Sequence, residues 1–259
     1  MKGFCPLASG SKGNCLYLGT DKTKILIDAG IGVRRIQQSL EEIGVSLSEI
    51  DAVLITHEHA DHIRAVDSLS SKYNIPIFAN SDTAKGICAA LSRMPNFKIF
   101  STGETFEFRD LQIHPFSIQH DTLDPVAFTI QTPQFKLGIC ADLGFVTTLV
   151  KSHLQNCDYL YIEANHEPEM VHASARPMIY KQRVLGRQGH LSNAACAELL
   201  KAISHEGLKG VFLAHLSSEC NNPHLALEIA SEALSAAGCN IPIHIAHQDT
   251  VSTPIIFSA

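Results

Sequence analysis

Thr56-His57-Glu58-His59-Ala60-Asp61-His62 is the stretch on which the reading of this chain turns. It follows the apolar run Ala52-Val53-Leu54-Ile55 and precedes Ile63, Val66 and Leu69 at helical spacing, so it links a buried strand to a helix. His57 and His59 stand two apart at the strand end, where side chains of equal parity point the same way. Asp61 and His62 fall in the turn into the helix, where the chain can aim both at the same spot. Four ligand-type side chains within six residues, imidazole and carboxylate together, suit a pair of divalent cations.

A pair of cations needs further ligands, and three candidates stand just past other apolar runs. His120 follows the strand expected at Ile113–Ile118, Asp142 follows Phe135–Cys140, and His215 follows Val211-Phe212-Leu213-Ala214. Around them the pattern predicts strands at Leu16–Gly19 and Lys24–Asp28 joined by a polar turn, at Asp51–Thr56, Ile75–Ala79 and Phe97–Phe100, and a run of strands through Thr105–Cys140. Another strand is expected at Tyr159–Glu163. Helical spacing of Val33, Ile36, Leu40 and Ile43 stops at Gly44. A helix is expected from about Asn193 to Glu206, capped by Ser192 or Asn193. A strand at Gly210–Leu213 would deliver His215. The last helix has Asn222 as cap, Pro223 at its first position and Gly238 as stop, before a strand at Pro242–Ala246. Residues 164–189 are the least regular stretch and locally basic, with Arg176, Lys181, Arg183 and Arg187 against Glu167 and Glu169. That run either contacts a nucleic-acid backbone or is a solvated face.

The bulk numbers fit a globular chain of 259 residues, 45% hydrophobic and 18% charged. With no repeat, low-complexity tract or linker, residues 1–259 are expected to form a single domain of α/β (α+β) class, two strand-rich halves with helices outside. No apolar run approaches a membrane span and the first residues lack the apolar core of a secretory signal, so a cytoplasmic location without membrane attachment is expected. The eight cysteines form no C-x-x-C pair and read as buried reduced thiols. A net charge of −6 gives no general pull toward nucleic acid, although acidic ligands that bind cations inflate that figure. Fourteen histidines are the unusual count; His114, His153, His172, His205, His224, His244 and His247 show no convergent pattern.

His57-x-His59-x-Asp61-His62 with later His120, Asp142 and His215 resembles the metallo-β-lactamase fold, over essentially the whole chain. Asp28, just before Ala29-Gly30, matches the carboxylate that braces the metal loop in that fold. Leu7-Ala-Ser-Gly-Ser-Lys-Gly-Asn14, Ile162-Glu-Ala-Asn-His166, Gly189-His-Leu-Ser-Asn193 and His215-Leu-Ser are similar to the YycJ/WalJ-like exonuclease subgroup. The resemblance implies a four-layer αββα sandwich with two divalent ions, Zn²⁺ or Mn²⁺. It implies His57, His59 and His120 on one ion, Asp61, His62 and His215 on the other, and Asp142 on both.

The implied activity is that of a metal-dependent phosphodiesterase, a 5′→3′ DNA exonuclease using water made nucleophilic by the two ions, with Asp61 helping to take its proton. RNA remains a possible substrate on this reading. In the related tRNA 3′-processing endonucleases a Glu at a strand end and a His before a helix deliver a proton, and Glu163 and His190 match those places. A carboxylate would orient that imidazole and raise its pKa, so that it protonates the leaving oxygen; otherwise His190 caps the next helix. Asn165 and His166 either touch substrate phosphate or brace their loop. Ser9, Ser11 and Asn14 either present hydroxyl and N–H groups to phosphate or form a plain tight turn. A hydrolase of small phosphoesters or thioesters on the same ions is the enzymatic alternative, and a metal-binding regulator without turnover the non-enzymatic one.

Overall fold

In the computed structural model, which describes residues 1–91 and 93–257, the chain starts with β1 (Gly3–Ala8), β2 (Cys15–Gly19), β3 (Lys24–Ile27) and α1 (Val33–Glu42). A single 3₁₀ turn leads to β4 (Ala52–Leu54), α2 (Ala60–Ile63), α3 (Val66–Tyr73), β5 (Ile77–Asn80), α4 (Ser81–Ala90) and β6 (Phe97–Phe100). Next come β7 (Phe106–Phe108), β8 (Leu111–Ser117), β9 (Val126–Gln131), β10 (Lys136–Cys140), α5 (Thr148–Leu154) and β11 (Tyr159–Glu163). The chain continues with α6 (Pro168–Ala173), α7 (Met178–Leu185), α8 (Asn193–Ile203), β12 (Gly210–Ala214), α9 (Pro223–Ala236), β13 (Ile243–Ile245) and β14 (Ile255–Ile256).

The strands form two seven-stranded mixed sheets, in the orders β14-β1-β2-β3-β4-β5-β6 and β13-β12-β11-β10-β9-β8-β7. With the helices these give the expected α/β class. The chain divides into two compact units, one of Met1–Leu111, Thr122–Val126 and the segment from His247, the other of Gln112–Asp121 and Ala127–Ala246. In the first unit β1, β2 and β3 are antiparallel neighbours and β3 to β6 run parallel. Tyr17, Leu26, Ile36, Leu40, Val53 and Leu69 are buried in its core. In the second unit β10, β11, β12 and β13 run parallel. Its core includes Phe116, Leu160, Leu200, Leu213 and Leu234. Strands buried on both faces need uniformly apolar sequence, which explains why Ala52–Leu54 and Gly210–Ala214 lack alternation.

Most sequence expectations hold within a residue or two. Ser192 caps α8 by accepting from Ala195 N, and Asn222 caps α9 with Pro223 next to it. Two differences are informative. Residues 164–189 contain α6 and α7 rather than irregular chain, and α4 occupies a stretch with no expected helix. In α7 the apolar residues Met178 and Ile179 are 66% and 75% exposed, so the apolar pattern does not report the buried face there. In α4 the buried face is made of small residues, Thr83 and Ala84 beside Ile87, which blunts the amphipathic contrast. All eight cysteines are free thiols, and burial pushes that of Cys157 up to about 11.

Candidate active site

In the first unit, parallel pairing sets Ile27 opposite Leu54, so β3 and β4 end at the same edge. Asp28 leaves β3 in the left-handed region (φ 60°), an uncommon conformation that Asp tolerates better than most residues. Its Oδ1 accepts from Thr56 N at 2.9 Å, and its Oδ2 accepts from Thr56 Oγ1 at 2.9 Å and from His62 Nδ1 at 2.8 Å. Thr56 Oγ1 in turn lies 3.0 Å from His57 Nδ1. With its own proton on Asp28, that hydroxyl is the acceptor for His57 Nδ1–H. One buried carboxylate thereby fixes two imidazoles in the same tautomer, as outer partners of metal-binding histidines do. The His57 ring centroid lies 4.8 Å from that of His59 and 4.0 Å from that of His62.

The turn at residues 9–14 is stitched to this loop. Asn14 N donates to Asp61 O at 2.8 Å, Gly30 N to Asn14 O at 2.7 Å and Ala29 N to His62 O at 2.8 Å. Asn14 Oδ1 accepts from Gly10 N at 2.8 Å, while its Nδ2 lies 3.0 Å from His62 Nε2. The contact requires glycine at position 30, where a Cβ would lie 1.5 Å from Asp61 O. Ser9 is 1% exposed whereas Ser11 is exposed. Glu58, inside the ligand-rich run, accepts from Leu123 N at 2.9 Å.

In the second unit, Cys140 pairs with Ile162 and Glu163 with Ala214, so β10, β11 and β12 end together. The carboxyl ends of parallel strands are where α/β sheets place their ligands. Asp142 and His215 leave their strands in left-handed conformations (φ 56° and 54°), with Glu163 at the end of β11. Strained backbone of this kind costs on the order of 1–3 kcal/mol per residue and collects at functional sites. Glu163 is fully buried: Oε2 accepts from Leu143 N at 2.6 Å and Leu191 N at 3.3 Å, and Oε1 from His190 Nδ1 at 2.8 Å and His215 Nδ1 at 3.2 Å. Burial pushes its carboxyl up, but the charge and hydrogen bonds of His190 and the hydrogen bond from His215 outweigh this and hold it below the usual range. Asp142 Oδ1 lies 3.5 Å from His190 Nδ1, 3.4 Å from His215 Nδ1 and 3.9 Å from His120 Nε2. His120 Nδ1 donates to Gly189 O at 3.1 Å. Asp142, Glu163, His190 and His215 offer ligand-type atoms within 4.8 Å of one another.

Asn165 turns its amide onto His215, donating to the backbone O at 2.6 Å. His166 is buried, and burial pushes its pKa down to about 4. Burial also lowers those of His114, His153 and His244. An unfolded histidine titrates at about 6.5, so as pH falls the unfolded chain takes up protons while these side chains resist. The associated stability is complete above that value and lost as pH drops toward 4. In EDTA, the thermal midpoint should fall between pH 7 and pH 4, and His166→Gln should flatten the fall. A midpoint independent of pH across that window would contradict the assignment.

Asp121 adjoins His120, and no apolar run before it marks it in the sequence. Its carboxylate lies 3.5 Å from His120 Nε2 and accepts from Arg183 at 2.6 and 3.2 Å, so one cation of the basic stretch is committed to this loop. Arg176 pairs likewise with Glu219.

Mixed sheets whose strand ends carry clustered histidines and carboxylates define a metallo-β-lactamase-fold hydrolase with a candidate metal-binding His/Asp cluster. The chain belongs to the β-lactamase superfamily: the profile of the family described as "Beta-lactamase superfamily domain" matches residues 23–215. It is 31% identical to exodeoxyribonuclease YycJ of Bacillus anthracis, covering 92% of this chain and 91% of that protein. It is 34% identical to exodeoxyribonuclease WalJ of Streptococcus pneumoniae serotype 2, covering 96% and 95%. Among solved structures, the fold is similar to that of the metallo-β-lactamase fold protein YhfI from Bacillus subtilis (TM-score 0.71, 16% identity, 97% and 99% covered). It is also similar to that of the short form of human tRNase Z (TM-score 0.65, 15% identity, 99% of each chain). No helix among the described residues is long and apolar enough to cross a membrane.

Proposed function

We propose that this chain is a metal-dependent phosphodiesterase that removes mononucleotides from DNA in the 5′→3′ direction. The observation that carries the reading is the Glu163–His190 pair at 2.8 Å, an imidazole tied through Nδ1 to a buried carboxylate. Such a group protonates a poor leaving group, and the 3′ oxygen of a nucleotide is one. Two relatives named exodeoxyribonucleases, matched over nearly their whole length, support the nucleic-acid assignment.

The donor set fits divalent cations. Nδ1 of His57, His62, His120 and His215 each faces a protein oxygen that can take its proton, which makes Nε2 the ligand atom. As the family resemblance implies, His57, His59 and His120 would hold one ion, Asp61, His62 and His215 the other, and Asp142 would serve both. Nitrogen-rich ligation suits Zn²⁺, and Mn²⁺ accepts the same mixture. Bound there, the two ions would lower the pKa of water toward neutrality and neutralise charge on the non-bridging phosphate oxygens.

The chain's own groups do the rest. Asp61, partly exposed, accepts the proton of the attacking water. His190 gives the proton on Nε2 to the departing 3′ oxygen, and Glu163 stabilises the imidazolium before transfer. Asn165 acts by holding the backbone of His215 and Asn14 by tying its turn to the loop through Asp61 O, while Ser11, exposed in its turn, and His166 contact substrate. Incubation with Mn²⁺ and 5′-end-labelled duplex DNA tests the reading: labelled mononucleotide should be released first. Turnover of small chromogenic esters alone would instead support a small-phosphoester or thioester hydrolase, and degradation of RNA alone would move the substrate class.

A further inference from the structure

The second unit contains a cavity of about 450 Å³, within the range of small-ligand sites. Its lining includes the apolar side chains of Phe145, Val146, Leu185 and Leu199. Polar groups come from His166, His190 and Ser192, with Lys151 and Glu198 at exposed positions. Two features mark it as more than a surface dent. His166, 2% exposed, has no hydrogen-bond partner for Nδ1 and lines the cavity. Arg187 stacks its guanidinium on the Phe145 ring, 4.1 Å from the centroid, which fixes an aromatic side chain at the cavity.

The chemistry of the proposed reaction says what belongs there. When water attacks phosphorus and the P–O3′ bond breaks, the electron pair leaves on the 3′ oxygen of the terminal nucleotide, which takes the proton from His190. The nucleoside carrying that oxygen must therefore lie on the side of His190, and His190 lines this cavity. We infer that the cavity holds the 5′-terminal nucleotide of the substrate, its base on the Phe145 ring and its 5′-phosphate toward Lys151 and the start of α8. The base is a flat aromatic that an aromatic side chain accepts whatever its identity. The phosphate is matched by an ammonium and by the N-terminus of α8, which opens here at Leu191, Ser192 and Ala195. The buried His166, neutral because its pKa is lowered to about 4, can hydrogen-bond a sugar or base without adding charge.

The inference rests on the nuclease reading for its orientation, but its test needs no turnover. Deoxythymidine 5′-monophosphate and inorganic phosphate are titrated calorimetrically into the purified chain and into Phe145→Ala and Ala195→Phe, the second of which fills the cavity. Affinity for the mononucleotide should fall by about tenfold or more in both variants, the size of one base–aromatic contact for Phe145→Ala, while inorganic phosphate binds the unaltered chain and Phe145→Ala alike. Mononucleotide affinity unchanged in either folded variant, or an equal loss for inorganic phosphate in Phe145→Ala, would overturn the assignment. Circular dichroism shows which variants are folded; if one is not, the other decides. A chain that binds the mononucleotide through these residues but leaves DNA intact contradicts the nuclease reading alone. One that digests DNA while ignoring both substitutions contradicts this inference alone.

Discussion

Asp142→Asn is expected to lower phosphodiester turnover by at least about a thousandfold, because on the proposed reading it removes a charge worth several kcal/mol of transition-state stabilisation through the ions it would hold. Asp142 Oδ1 lies within 3.9 Å of nitrogens on His120, His190 and His215, so its carboxylate sits among three imidazoles. The amide keeps its shape and loses its charge. A carboxylate serving two cations is also the ligand whose loss weakens both, so metal content should fall with activity. Element analysis after gel filtration, beside steady-state kinetics on DNA, checks both. Retention of wild-type metal content with wild-type turnover would remove Asp142 from the centre.

His190→Ala and Glu163→Gln should differ in kind. Loss of a positioned proton donor costs about 10²–10⁴ in rate, and His190→Ala should show this in kcat with metal content near normal. Glu163 carries more than one duty: the oxygen that holds His190 Nδ1 at 2.8 Å also holds His215 Nδ1 at 3.2 Å. Glu163→Gln should therefore lower kcat and also weaken the ion held by His215, by the factor of about 10–100 typical of outer-partner substitutions. A substrate whose leaving group needs no proton, such as a p-nitrophenyl diester, should restore much of the rate to His190→Ala and less to Glu163→Gln. Metal loss in His190→Ala would show that the side chain is a ligand and not the proton donor.

Much of the candidate site is legible in the sequence. Residues 56–62 announce themselves because ligand-type side chains rarely crowd a strand end without cause, and Asp142 and His215 stand out as polar residues directly after apolar runs. What was hidden is conformational. Nothing in the sequence says that Asp28, Asp142 and His215 turn in the left-handed region, the device that swings each side chain off its strand end. The double role of Glu163 was also invisible, because it depends on parallel register between β11 and β12, set by burial across a whole sheet. Helices α6 and α7 escaped because they are short and, at Met178 and Ile179, expose apolar residues where periodicity expects polar ones. The cavity could not be read at all, since its walls come from segments as far apart as Gly144 and Leu199.

On the proposed reading the chain holds two divalent cations. Diffraction data collected on either side of the zinc and manganese absorption edges, from crystals of the chain purified without chelator and then soaked in each ion, test it directly. Two anomalous peaks per chain are expected, one beside His57 and His59, the other beside His62 and His215, with Asp142 reaching both. A folded chain with an empty cluster at saturating metal, or with a single peak touching none of these side chains, would contradict it.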